Sequence, residues 1–359
     1  LSSSVTLPTH GTKPLSTSTA ALAAKRDPSI DIARLCAAFL IVLFHAGESY
    51  SMAGGPDIGG NPPWLIVGNL SLWGRVPFFF FLAGCFAARS LAKPGASAGG
   101  FVSSRIKGLG IPYLFWNGVS LAMLWVALRA GASFSSEPVL TTGAALGKLT
   151  GIFFMPANGP LWFIRDLILA SLLAPLLRKL GPWLLVPSIS LIILPEIPLE
   201  WMERGCPRPS SFGYFGIGML LSYLPKGIFG KLFPNLGLGL LLCLSLGVVH
   251  SIWHLTPSRF GGVSVGAMGI LLTGCYIHRS FPRIAEFMAR HSSASFIVFA
   301  ANVPFFAVAR FLYPRVEGKI GYLPYFFGLA VLFFVLALVA HHLIRGYFPR
   351  LLVLISGGR

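Results

Sequence analysis

Apolar runs of membrane-spanning length, separated by short basic connections, leave this chain few ways to fold. The first runs from Ile30 to Tyr50, with Phe39-Leu40-Ile41-Val42-Leu43-Phe44 at its centre. A bilayer core offers peptide groups no water, so a run of about 20 apolar residues closes its hydrogen bonds within itself as a helix. Charged residues make up 11% of the 359 positions, where a soluble domain carries about 25%. The expected fold is all-α, a polytopic membrane helical bundle with about ten transmembrane helices. Spans are expected near 30–50, 65–90, 109–129, 160–178, 182–197, 211–225, 233–253, 260–280, 293–313 and 321–344. The fifth is interrupted by Pro187 and Pro195.

Residues 1–25 are rich in Ser, Thr, Ala and Pro and read as a disordered tail. Residues 26–359 read as a single transmembrane domain without an internal repeat. The tail lacks the apolar centre of a cleavable signal, so the first span is expected to serve as an uncleaved anchor. The net charge of +17 raises nucleic acid as a partner, but the basic residues are scattered through short loops. Membrane orientation explains them better. With the N-terminus inside, seventeen Lys and Arg fall in inner segments and eight in outer ones, and the loop 51–63 has none. That bias predicts both termini in the cytoplasm, and the membrane is expected to be a bacterial inner membrane.

Arg34 and His45 share the first span. Eleven helical residues turn through about 1100°, close to three full turns, so both side chains lie on one face about 16 Å apart. Ionisable groups at such depth are costly and face a protein interior or a polar path. Orientation converts the other polar positions into depths. An inner cluster would hold Asp31, Arg34, Arg105 and Lys107, and an outer one His45, Glu48, Arg75, Arg165 and Asp166. A basic inner mouth suits a phosphate-bearing cytosolic ligand, since Arg binds phosphate through paired hydrogen bonds. A deeper histidine suits proton transfer near neutral pH.

Plainer readings stand beside these. Asp31 and Arg34, three apart, could be a surface pair. His45 could be a satisfied structural histidine, and Arg105 and Lys107 topology determinants. Arg165 and Asp166 point apart on a helix and are each expected to need a separate partner. Glu48 could orient His45 but is read as a solvated residue at the helix end. His250 and His254 have the spacing of a metal pair without an acidic third ligand, so no metal site is expected. His341 and His342 are read as interfacial, as are Trp64, Trp73, Trp201 and Trp253. Cys36, Cys85, Cys206, Cys243 and Cys275 form no metal or redox spacing.

Four motifs resemble a known family. Asp31-x-x-Arg34 followed by His45 is similar to the first helix of the acyltransferase 3 family of integral membrane O-acyltransferases. Val76-Pro77-Phe78-Phe79-Phe80-Phe81-Leu82-Ala83-Gly84 resembles its second helix, with Ala83 where a serine is usual. Arg105-Ile106-Lys107-Gly108 resembles the basic stretch before its third helix, with Gly108 where a second arginine is common. Gly159-Pro160-Leu161-Trp162-Phe163-Ile164-Arg165-Asp166-Leu167 resembles the opening of its fourth. The motifs span the first half of the chain. The resemblance implies transfer of an acyl group, commonly acetyl from acetyl-CoA, to a hydroxyl of a glycan or lipid-linked acceptor. It implies no permanently bound cofactor, with acyl-CoA as a substrate.

On that expectation His45, Arg34 and Asp31 form the catalytic group, and Arg34, Arg105 and Lys107 hold the donor. Arg75, Trp162, Arg165 and Asp166 contact the acceptor, and Arg75 or Arg165 steadies the oxyanion. His45 acts as base or as a transiently acylated nucleophile. The rival reading is a proton-coupled transporter or flippase of a glycan or small polar solute, since intramembrane Asp, His and Arg also build relays. Against it, no pair of broken segments recurs in two matching halves. A scaffold without activity would leave the polar clusters unexplained.

Overall fold

The computed structural model describes residues 27–53, 75–131, 141–194, 201, 204–222, 237, 241 and 259–358. The terminal tail, most of the expected span 233–253, the start of the second span, Cys243, His250 and His254 lie outside them. All regular structure among the described residues is helical.

Helix α1 covers Pro28–Met52. Its start is written in the sequence: the Asp27 carboxylate accepts from the Ser29 backbone N–H at 2.9 Å, and Pro28, which lacks an N–H, takes the first helical position. Helix α2 covers Arg75–Leu91 and α3 Ala98–Arg105, the latter capped by the Ser97 hydroxyl. A π-helical segment, Ile106–Gly110, joins α3 to α4, Ile111–Arg129. Helix α5, Thr142–Thr150, ends on Gly151, whose φ of 68° suits glycine. Helix α6 is Trp162–Leu177, α7 Leu185–Ile193 and α8 Pro209–Leu221. Then follow α9, Arg259–Ser280, α10, Pro282–His291, α11, Ser295–Leu312, α12, Tyr322–Tyr347, and α13, Pro349–Ser356.

Among the described residues, five helical stretches are long and apolar enough to cross a membrane: Pro28–Tyr50, Ala98–Arg129, Gly159–Ile193, Pro282–Arg315 and Pro324–Tyr347. The expectation of about ten is not confirmed among the described residues, which cover the expected second, sixth and seventh spans only in part. Val76–Leu91 is short, α8 has 13 residues, and α7 has nine and continues the stretch that begins at Gly159. The expected fourth and fifth spans both fall in that stretch, on either side of Gly181, whose φ and ψ are not helical.

Helix α1 is the centre of the packing and touches α2, α9, α10, α11 and α12. It runs parallel to α11, because Arg34 meets Ser295 near one end and Arg310 meets Met52 near the other. It runs antiparallel to α12, since Phe39 stacks on Phe334 at 4.9 Å and Tyr50 on Phe326 at 6.5 Å. Two apolar cores result. One joins Ile41 to Phe80, Phe163 and Phe299 from α2, α6 and α11. The other joins Leu35, Ala38 and Val42 to Val298, Phe306, Phe326 and Phe333 from α11 and α12.

Helices α2 and α8 cross at backbone contact. A Cβ on Gly84 would overlap the Phe215 carbonyl oxygen, and one on Gly218 the Phe81 carbonyl oxygen. Replacing Gly218 by Leu must therefore push the helices apart. Overpacking of this kind costs about 1–3 kcal/mol or more, and Gly218→Leu is expected to lower the thermal midpoint of the purified protein in detergent. An unchanged melting curve would contradict the crossing.

Candidate functional site

Pro304 sits inside α11 and has no N–H to give the carbonyl of Ala300. Asn158 supplies the missing donor, its Nδ2 reaching the Ala300 oxygen at 2.8 Å. The Asn158 backbone N–H donates to Asn117 Oδ1 at 2.9 Å, and Asn117 Nδ2 to the Tyr113 carbonyl at 3.0 Å. Both asparagines are fully buried. This chain of amides stitches the connection before α6 between α4 and α11.

Arg165 and Asp166 anchor the same region. The sequence led us to expect that they point apart, but the guanidinium curls back on its neighbour. Nε donates to Asp166 Oδ1 at 2.9 Å, and Nη2 lies 2.8 Å from the same oxygen. Their side chains are 8% and 0% exposed. Each also has partners of its own, as expected. Arg165 Nη1 donates to the Gly151 carbonyl at 3.0 Å and Nη2 to the Cys206 carbonyl at 3.3 Å. Asp166 Oδ2 accepts the Arg208 backbone N–H at 3.0 Å. Arg208 in turn lays its guanidinium 3.9 Å from the centre of the Trp162 ring. Every nitrogen of the Arg165 guanidinium is thus engaged by the protein, so an oxyanion there would have to displace an existing bond. The Arg75 side chain lies outside the described residues.

The Arg34 and His45 side chains lie on the face of α1 turned toward α11. Arg34 Nη1 donates to Asp31 Oδ1 at 3.3 Å and Nη2 to Ser295 Oγ at 3.3 Å. At 22% and 16% exposure Arg34 and Asp31 are no surface pair. Asp31 and Ser295 fix the plane of the guanidinium. One turn past His45, Glu48 places Oε2 2.5 Å from His45 Nδ1. Glu48 was expected to be solvated; it holds the imidazole instead, though it is 41% exposed itself. A carboxylate on Nδ1 fixes that nitrogen as the donor and leaves Nε2 as the basic nitrogen.

Arg105 and Lys107 belong to a second basic feature. Arg105 lies 5.1 Å over the Phe101 ring and lines an open depression of about 530 Å³ with Lys93, Ser97 and Ser104. Lys107 is exposed on the π-helical segment, a local geometry often found at functional sites. Sequence reasoning counted Lys93 among the inner basic residues but did not single it out as a companion of Arg105.

The sequence also passed over three groups on the helices facing α1. Ser295 orients Arg34. His341, expected at the interface with His342, is buried at 3% on the packed face of α12. Asn302 is fully buried in α11. His341 could have been found from its register, since Phe326, Ala330, Phe333, Ala337 and His341 recur on one helical stripe. Among the described residues no cluster of three potential ligands could hold a metal ion.

A family model described as Acyltransferase domain, Acyl_transf_3, matches residues 27–342. The chain belongs to the acyltransferase 3 family. It is therefore an acyltransferase, and its apolar helices make it an integral membrane protein. The succinoglycan biosynthesis protein ExoH of Rhizobium meliloti is 26% identical over 267 residues, covering 69% of this chain and 70% of that protein. No solved structure matches the chain significantly.

The geometry at Arg165 and Asp166 predicts a scaffold role. Removing one member of a buried pair strands the other and costs about 3–5 kcal/mol. Asp166→Ala is expected to reduce folded yield and thermal midpoint, measured by size-exclusion fluorescence in detergent. A protein of normal stability that has lost only acceptor use would instead make Asp166 a substrate contact.

Proposed function

We propose that this acyltransferase moves an acyl group, acetyl from acetyl-CoA, onto a hydroxyl of a glycan or lipid-linked acceptor. The observation that carries the reading is a histidine held by a carboxylate on the same helix face as a fixed arginine. Membership of the acyltransferase 3 family supplies the reaction class. The glycan acceptor is supported by a relative named for succinoglycan biosynthesis. The apolar runs support about ten spans, and the asymmetry of Lys and Arg supports both termini in the cytoplasm, the membrane being read as an inner membrane.

In this reading the donor enters from the cytoplasmic side with its phosphates at Arg34. Asp31 and Ser295 hold that guanidinium, and Arg105, Lys93 and Lys107 extend the positive surface. The slender arm passes between α1 and α11 toward His45. His45 Nε2 takes the proton from the acceptor hydroxyl as its oxygen attacks the thioester carbonyl. The carbon–sulfur bond then breaks, and the imidazolium returns its proton to the leaving thiolate. Glu48 steadies the imidazolium while it is charged. In the two-step alternative Nε2 itself attacks the carbonyl, the carbon–sulfur bond breaks to release the CoA thiolate, and the acyl group then passes from Nε2 to the hydroxyl, whose proton ends on the thiolate. Labelled acetyl-CoA separates these, since only the second leaves label on the denatured protein in the absence of acceptor. The transporter reading would leave acetyl-CoA unconsumed.

Two outcomes are expected. His45→Gln keeps hydrogen bonding but loses the base, so acyl transfer should fall by at least about 10²–10⁴-fold with the protein still folded. An active His45→Gln protein would make the histidine structural. Arg34→Ala loses a charged contact to phosphate worth about 1.5–3 kcal/mol. Its KM for acetyl-CoA should rise about ten- to a hundredfold while the acceptor KM changes little; unchanged donor kinetics would remove Arg34 from the donor site.

A further inference from the structure

Asn302 is fully buried, and neither its Oδ1 nor its Nδ2 finds a hydrogen-bond partner. Burying an amide with nothing to pair costs more than almost any other neutral side chain would at that position. Asn158 and Asn117, buried to the same degree, each bond to the backbone through Nδ2, and of their side-chain atoms just Asn158 Oδ1 has no partner, whereas Asn302 has both atoms unpaired. Asn302 therefore calls for a partner from outside the protein.

Its place in the fold says which one. On α1, Ile41 belongs to one apolar core, and Ala38 and Val42 to the other. On α11, Phe299 belongs to the first and Val298 and Phe306 to the second. Arg34 and His45 lie along the seam on α1, and Ser295 and Asn302 along the seam on α11. Asn302 follows Ser295 by seven positions, so they share a helical face. The two helices are parallel, and Ser295 is level with Arg34. Asn302 thus stands about 10 Å along the seam from Arg34, while His45 stands about 16 Å along it.

We propose that Asn302 is a donor-binding residue whose amide pairs with a secondary amide in the arm of the acyl thioester. This rests on the reading of a CoA thioester as donor. With its phosphates at Arg34 and its thioester at His45, such a donor must present its arm to Asn302. In CoA thioesters two methylene groups separate the last amide from the sulfur, a span of about 4–5 Å. The step from Asn302 to His45 is about 6 Å. A carboxamide both donates and accepts, and so does a secondary amide, so each can satisfy the other. A phosphate or a hydrocarbon chain would leave one of the two Asn302 atoms unpaired.

The test measures binding, so it needs no acceptor. Dissociation constants for acetyl-CoA and for adenosine 3′,5′-bisphosphate, which lacks the arm, are measured on the purified full chain. Wild type, Asn302→Leu and the smaller Asn302→Ala are compared, with ligand-free melting curves alongside. Leu has the branching and heavy-atom count of Asn and removes an unpaired amide, so its melting midpoint should stay level or rise. Asn302→Leu and Asn302→Ala should weaken acetyl-CoA by about tenfold or more and leave the nucleotide unchanged. Acetyl-CoA affinity within twofold of wild type, or equal loss for both ligands, would overturn the assignment. A wild-type protein that binds neither ligand would instead overturn the CoA reading, and this proposal with it.

Discussion

The Arg165–Asp166 pair closes hydrogen bonds that the surrounding bundle could not close without it. The connection after α5 and the residues before α8 bring non-helical backbone down among packed helices. A bilayer tolerates such backbone only where the protein itself satisfies it. Arg165 takes the carbonyls of Gly151 and Cys206, and Asp166 takes the N–H of Arg208. Each charge also neutralises the other at 2.8 Å, which makes their burial bearable. The amides of Asn158 and Asn117 do the same work on the other side of α6, including for the carbonyl that Pro304 leaves open. The connection before α6 can lie close to α11 because of these contacts.

The helical class, the first span and the four family motifs were legible in the sequence because each rests on a local pattern. Asp27, Pro28 and the apolar run that follows specify α1 within its own residues. The shared face of Arg34 and His45 follows from helix geometry alone. Partners were less legible. Nothing local tells that Glu48 turns toward His45 rather than to water, because both outcomes fit a residue one turn away. Arg165 and Asp166 are adjacent, and their side chains leave the helix in different directions. They meet only because an arginine is long enough to curl back once Gly151 and Cys206 are in place. Ser295 lies 261 residues from Arg34 and carries no motif. The span count is not confirmed, because the described residues cover several expected spans only in part, and nothing local tells whether α6 and α7, which meet at the non-helical Gly181, cross once or twice.

The two apolar cores have different roles around α1. The core with α2, α6 and α8 contains the rings of Phe80, Phe163 and Phe299, stacked edge to face at 5.1 and 5.2 Å. Such pairs have strong preferences in geometry and hold their helices in one register. The core with α12 joins small residues such as Ala38, Ala330 and Ala337 to a few large rings. Polar groups of the seam, Arg34, Ser295, Asn302 and His45, stand where these two surfaces meet. That arrangement leaves Arg34 and His45 largely but not fully buried, at 22% and 13% exposure.

The reciprocal glycine crossing of α2 and α8 bears on which parts of this bundle can move. Each helix sets a bare backbone position against a carbonyl of the other, so a slide of either along its axis drives a side chain into main chain. Such a contact works as a detent: it allows one alignment and resists shear. Displacement that admits a bulky headgroup or releases a product must then occur at softer boundaries. The boundary of α1 with α11 and α12 has no such interlock among the contacts described, and it contains the polar seam. In mechanical terms α2 and α8 are the fixed frame against which the substrate path can open.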